Sequence, residues 1–99
     1  MSAPRRVRLD RSHAADVLRH IPPEVKRPLR EALRYLGDDP TGRTHRLDVK
    51  LLDTGPELPR LFRLRLGEWR VVFALQDGEV HVMRIFHRGD GYAWLERLE

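Results

Sequence analysis

Between Leu61 and Tyr92 apolar and polar positions alternate in three short runs, LFRLRL, WRVVFALQ and EVHVMRIFH, and a period of two predicts three consecutive β-strands. Gly67-Glu68 separates the first two runs as a two-residue hairpin loop, which pairs Leu66 with Trp69 and Arg65 with Arg70. Alternation then places Leu64, Leu66, Trp69, Val71, Phe73 and Leu75 on one face, and Arg63, Arg65 and Arg70 on the other. Asp77-Gly78 predicts a type I′ turn into the third strand. With a two- or four-residue loop there, Val80, Val82, Arg84 and Phe86 fall on the core face, and His81, Met83, Ile85 and His87 fall beside Arg70. A three-residue loop or a bulge exchanges these sets. Strict alternation brings His87 rather than Arg88 to the arginines, yet it buries Arg84 beneath the helices, so both His87 and Arg88 stay candidates.

The rest of the chain changes period. Arg5 to Leu9 alternates as an edge-type strand. Ser12 suits the N-cap of a helix running to about His20, with Ala14, Ala15, Val17, Leu18 and Ile21 on its apolar side. Pro22-Pro23 breaks the chain. Glu24 to Leu36 reads as a second helix, with Val25, Leu29, Ala32, Leu33 and Leu36 at helical spacing, Pro28 near its first turn and Gly37 at its stop. Asp38 to His45 is a polar loop, Leu47 to Leu52 a short apolar segment compatible with a strand, and Asp53 to Pro59 a Pro/Gly-punctuated exposed loop. Tyr92, Leu95 and Leu98 line one side of a short terminal helix over Tyr92 to Leu98. The order β-α-α-β-β-β-α predicts an α+β fold, with an N-terminal helical hairpin packed on one face of a small antiparallel-dominated sheet. The other face is left for function.

Composition narrows that function. With 99 residues, 40% of them hydrophobic, residues 1–99 form one domain with one core, and any site is an open surface or shallow groove. The absence of cysteine removes disulfides, thiolate metal sites and a cysteine nucleophile. His13, His20, His45 and His81 lack metal-ligand spacing, so neither a metal nor a cofactor is expected. No run approaches the ~20 apolar residues of a membrane span, and MSAPRRVRLD has no signal-peptide core, so the expectation is a soluble, cytoplasmic protein without a membrane partner.

Nineteen Lys and Arg stand against 15 acidic residues, a net charge of +4 that favours polyanionic partners. Only Lys26 and Lys50 are lysines, so the charge is overwhelmingly guanidinium, the group suited to bidentate phosphate contact. A codon bias toward arginine accounts for most of the count; placement on one sheet face is the stronger argument. Opposed arginines repel by a few tenths of a kcal/mol or more, and an anion between them removes that cost.

LFRLRLGEWRVVFAL and HRGDGY, together with the helical hairpin and its Pro-containing turn, resemble the RelE/ParE superfamily of toxin-antitoxin toxins over essentially the whole chain. In the RelE branch the resemblance implies a ribosome-dependent endoribonuclease that cuts messenger RNA without metal and is neutralised by a cognate antitoxin. By motif, the basic pair of the first hairpin strand is Arg63 and Arg65, the arginine after the turn aromatic is Arg70, the terminal-strand arginine is Arg88 and the final tyrosine is Tyr92. The chain departs from the pattern in carrying arginines where RelE has strand lysines. Some relatives use a histidine near the C-terminal segment, a role open to His87.

RNA cleavage of this kind deprotonates the 2′-hydroxyl, stabilises charge on pentavalent phosphorus and protonates the departing 5′-oxygen. Arg65 and Arg70 suit the middle task. His87, with an unperturbed pKa near ~6.5, or Tyr92 in a cationic neighbourhood suits proton transfer, and Arg88 suits the leaving oxygen. Arg63 and Lys50 suit positioning of the RNA backbone. A ParE-like gyrase inhibitor and a non-catalytic RNA- or antitoxin-binding relative are the alternatives. The full basic and Tyr/His set favours the nuclease.

Overall fold

In the computed structural model, which describes residues 4–52 and 60–90, the elements run β1 (Val7–Leu9), α1 (Ala14–His20), α2 (Pro23–Asp38), β2 (Asp48–Leu51), β3 (Leu61–Leu66), β4 (Trp69–Gln76) and β5 (Glu79–His87). The strands form one sheet in the order β1-β5-β4-β3-β2, in which only the β1–β5 pair is parallel. The segment around Leu47 to Leu52 does supply a strand, so four strands rather than three follow the helices. The terminal helix over Tyr92 to Leu98 and the loop from Asp53 to Pro59 lie outside the described residues.

Both helices cover one face of the sheet, where Leu18, Leu29, Leu33 and Leu36 meet Leu64, Val71, Phe73, Val80, Val82 and Ile85. Full burial of a side chain such as Phe73 contributes about 1.5–3 kcal/mol, and this layer fixes which sheet face is left over. Pro23 opens α2 at a position where its missing N–H costs nothing, whereas Pro28 lies beyond the first turn and has no N–H to offer the Glu24 carbonyl. None of the helices in the described residues is long and apolar enough to cross a membrane.

Two helix boundaries differ from expectation. Ser12 does not cap α1: its hydroxyl donates to Asp10 Oδ2 at 2.9 Å, and the helix starts two residues later. Gly37 lies within α2 rather than beyond it. The Arg5 amide donates to the Gly37 carbonyl at 2.8 Å, and a Cβ at Gly37 would stand 2.8 Å from the Arg5 oxygen. Glycine there permits the approach to β1; it does not stop the helix.

Both hairpins take the expected register, with Arg65 opposite Arg70 and Leu66 opposite Trp69. Gly67 has φ +59 and Glu68 is not left-handed, which gives a type II′ turn, while Asp77 and Gly78 at φ 52 and 73 form the type I′ turn.

The third strand departs from strict alternation. Between Val72 and Phe73 the register shifts, with Val72 opposite Arg84 and Phe73 opposite Val82, so Met83 is the extra residue of a β-bulge. Val82 and Ile85 therefore both enter the core, Arg84 and Phe86 turn to the open face, and His87 lies opposite Trp69 on the helix side. Uninterrupted pairing would drive the Arg84 guanidinium under the helices, and the cost of burying such a charge explains why the bulge prevails. His87 is thus corrected from the arginine face to the opposite one.

Candidate functional site

The sheet face away from the helices has a buried apolar strip as well as a cationic end. Leu52, Leu61, Val72 and Ala74 form a second buried cluster, with Phe86 packed against it. Arginines gather beside this strip, near the Gly67-Glu68 turn.

Arg70 is half-buried, and its Nη1 donates to the Gly67 and Trp69 carbonyls at 2.8 and 3.0 Å, which folds the guanidinium back over the turn. Burial lowers its pKa first, the charges of Arg65 and Arg63 lower it further, Glu68 opposes the shift, and Arg88 adds to it. Four guanidiniums therefore share one electrostatic neighbourhood. Because Arg70 stays protonated at any working pH, the shift expresses charge held at a cost that an anion would relieve.

Two carboxylates hold the other arginines. Asp48 Oδ1 accepts from Arg63 Nη2 at 3.4 Å, while Asp48 Oδ2 lies 3.6 Å from Arg65 Nε. Arg63 is only 11% exposed along its side chain, and its buried Nε has no hydrogen-bond partner among the described residues. Arg88 lies past the end of β5, anchored by its amide to the Glu68 carbonyl at 2.8 Å and by Nε to Glu68 Oε2 at 2.8 Å. Lys50 is exposed on β2 directly opposite Arg63. Five cations thus face two carboxylates, both of which are exposed and easily outcompeted by phosphate.

His87 belongs elsewhere. Its ring meets Trp69 edge to face at 5.6 Å, and the Gly89 amide donates to its Nδ1 at 3.3 Å. Arg63, Arg65, Arg70 and Arg88 are brought together with Lys50 at their margin, and Tyr92 lies outside the described residues. Among the described residues no three His, Asp or Glu side chains converge as metal donors would.

Sequence reasoning missed Asp48 and Glu68 as partners of the arginines. Asp48 was hidden because β2 is short and only half alternating. Glu68 was visible as the second turn residue, and its spacing from Arg88 becomes contact only once the β4–β5 pairing is fixed.

No protein-family model matches the chain, and no curated protein matches it. Solved structures do. A chain of the archaeal RelE-RelB complex from Pyrococcus horikoshii OT3 is 24% identical, with a TM-score of 0.72 over 89% of this chain and 99% of that one. The toxin-antitoxin complex RelBE2 from Mycobacterium tuberculosis is 25% identical, with a TM-score of 0.65 over 91% and 98%. The RelB-RelE antitoxin-toxin complex from Methanococcus jannaschii is 15% identical, with a TM-score of 0.64 over 88% and 96%. The fold is RelE-like along nearly the whole chain.

Proposed function

We propose that this chain is the toxin of a toxin-antitoxin pair, and that its arginine face grips messenger RNA on the ribosome and cleaves it. The observation that carries the reading is the opposition of Arg65 and Arg70 inside a cluster completed by Arg63 and Arg88, a concentration of guanidinium whose natural complement is a phosphodiester. Likeness to three toxin-antitoxin complexes supports a RelB-like antitoxin as the partner, and on this reading the protein acts in the cytoplasm.

In this reaction the 2′-oxygen bonds to phosphorus as the bond to the 5′-oxygen breaks, so negative charge grows on the non-bridging oxygens. Arg65 and Arg70 stabilise that charge, and removing one such donor typically costs about 10²–10³ in rate. Arg63 and Lys50 orient the backbone without reading sequence. Arg88, held at the cluster by Glu68, serves the leaving oxygen, and Tyr92 exchanges the proton. His87, on the far side of the sheet, supports Trp69 instead.

Primer extension on a translated message, with and without ribosomes, tests the proposal. Cuts within codons that require ribosomes, and that vanish in the Arg70→Ala variant, are the expected result. Intact message together with a supercoiling defect would replace it with a gyrase-binding, ParE-like function.

A further inference from the structure

A second cationic concavity lies at the opposite edge of the sheet, where β1 runs parallel to β5. It is a groove of about 600 Å³, within the size range of small-molecule sites and far larger than one inorganic anion. Its outer wall, β1, lies three strand spacings, about 14 Å, from the β3 strand that carries Arg63 and Arg65, and its floor is formed by β5.

We propose that this groove binds a nucleotide, with its phosphate on Arg8 and Arg11 and its base against Met83. Arg8 and Arg11 are exposed cations on its wall, and the half-buried Arg84 also lines it. The one carboxylate in the lining, Asp10, already accepts the Ser12 hydroxyl at 2.9 Å. Arg8 Nε lies 3.8 Å from Glu79 Oε2, beyond hydrogen-bond range, so the ion pair leaves its donors available to a phosphate.

The rest of the lining fits what a phosphate carries. His81, directly opposite Arg8, lines the groove, and its buried Nε2 has no hydrogen-bond partner among the described residues. Met83, the extra residue of the bulge, offers a polarisable apolar surface, 38% exposed, on which a flat base can lie. The Gln76 amide at the rim carries both donor and acceptor, as base-edge contact requires. A cationic patch for an acidic protein partner needs neither a concavity nor an apolar wall.

The test is an NMR titration of the full chain that follows the imidazole signals of His13 and His81. The probes are 5′-AMP, inorganic phosphate and a short single-stranded oligoribonucleotide. We expect saturable shifts with 5′-AMP, at a half-saturation at least tenfold below that of phosphate. An Arg8→Gln/Arg11→Gln chain, altered only at exposed side chains, should lose at least tenfold in affinity while its other amide signals stay in place. The groove signals should persist in an Arg65→Gln chain, which separates this site from the arginine cluster. Tighter binding of the oligonucleotide than of 5′-AMP identifies an RNA strand as the source of the nucleotide, and the reverse identifies a free nucleotide; either supports the site. Absence of saturable shifts with both, equal affinity for phosphate and 5′-AMP, or shifts that survive the double substitution would overturn it.

Discussion

His87 stands edge to face on Trp69 at 5.6 Å, on the opposite side of the sheet from Arg70, whose partner on β5 is Phe86. A single extra residue, Met83, produces this arrangement and decides which residues of the last strand share a face with Arg70. An aromatic pair of this geometry contributes about 0.5–1.5 kcal/mol beyond its buried area. His87→Ala is therefore expected to lower the melting temperature by roughly 4–8 °C per kcal/mol lost, while leaving translation arrest intact. Thermal unfolding beside a growth-arrest assay checks both halves. A variant as stable as its parent but inactive would return His87 to the chemistry.

Arg65 and Arg70 make the opposite prediction, function without stability. Their charges oppose each other across β3 and β4, and Asp48 offers Arg65 only an exposed contact at 3.6 Å. Such contacts contribute roughly 0–1 kcal/mol, and relief of like-charge repulsion is of similar size. Arg65→Gln should leave the urea midpoint unchanged or slightly higher while cutting cleavage by about 10²-fold or more. Parallel loss of stability and cleavage would make Arg65 a structural residue.

The hairpins were legible in sequence because local chemistry determines them. Gly67-Glu68 and Asp77-Gly78 set turn type, turn type set register, and register put Arg65 across from Arg70. The bulge was not legible, since Val82 and Ile85 at a spacing of three fit either a strand with an insertion or a misassigned face. Only the helices waiting to receive Ile85, and refusing Arg84, choose between them. Asp48 escaped notice for a related reason: its role depends on β2 pairing with β3 across 15 positions of sequence, and nothing local announces that pairing.

Gly37 offers a case where propensity and packing disagree in sign. Within a helix, Ala is favoured over Gly by about 0.8–1 kcal/mol, so Gly37→Ala looks stabilising on local grounds. Its new methyl would meet the Arg5 carbonyl oxygen at 2.8 Å and the Val7 side chain at 3.3 Å, and the first obstacle is backbone held by the Arg5–Gly37 hydrogen bond. Overpacking of that kind costs about 1–3 kcal/mol. The expected result is a net loss of stability in urea unfolding, accompanied by faster amide exchange at Arg5. A gain in stability would mean that the segment leading into β1 moves aside freely.

Asp39 ties the end of α2 to the following loop, and its effect should be visible as pH dependence. Its Oδ1 accepts from the Thr41 hydroxyl and amide at 2.6 and 3.0 Å, and its Oδ2 from the Thr44 hydroxyl and amide at 2.7 and 3.0 Å. These four donors, the Thr41 hydroxyl foremost, hold the carboxyl far below the usual carboxylate range. A folded-state pKa below the unfolded value of about 3.9 means that the charged loop stabilises the fold fully above that value and progressively less as pH falls beneath it. Asp39→Asn removes the charge at every pH, so the stability gap between parent and variant should be constant above about pH 5 and close as the pH drops through 4 toward 2. Urea midpoints of both proteins across that range measure the gap directly. A gap that stays constant down to pH 2 would show that the loop is held by its hydrogen-bond geometry and gains nothing from the charge.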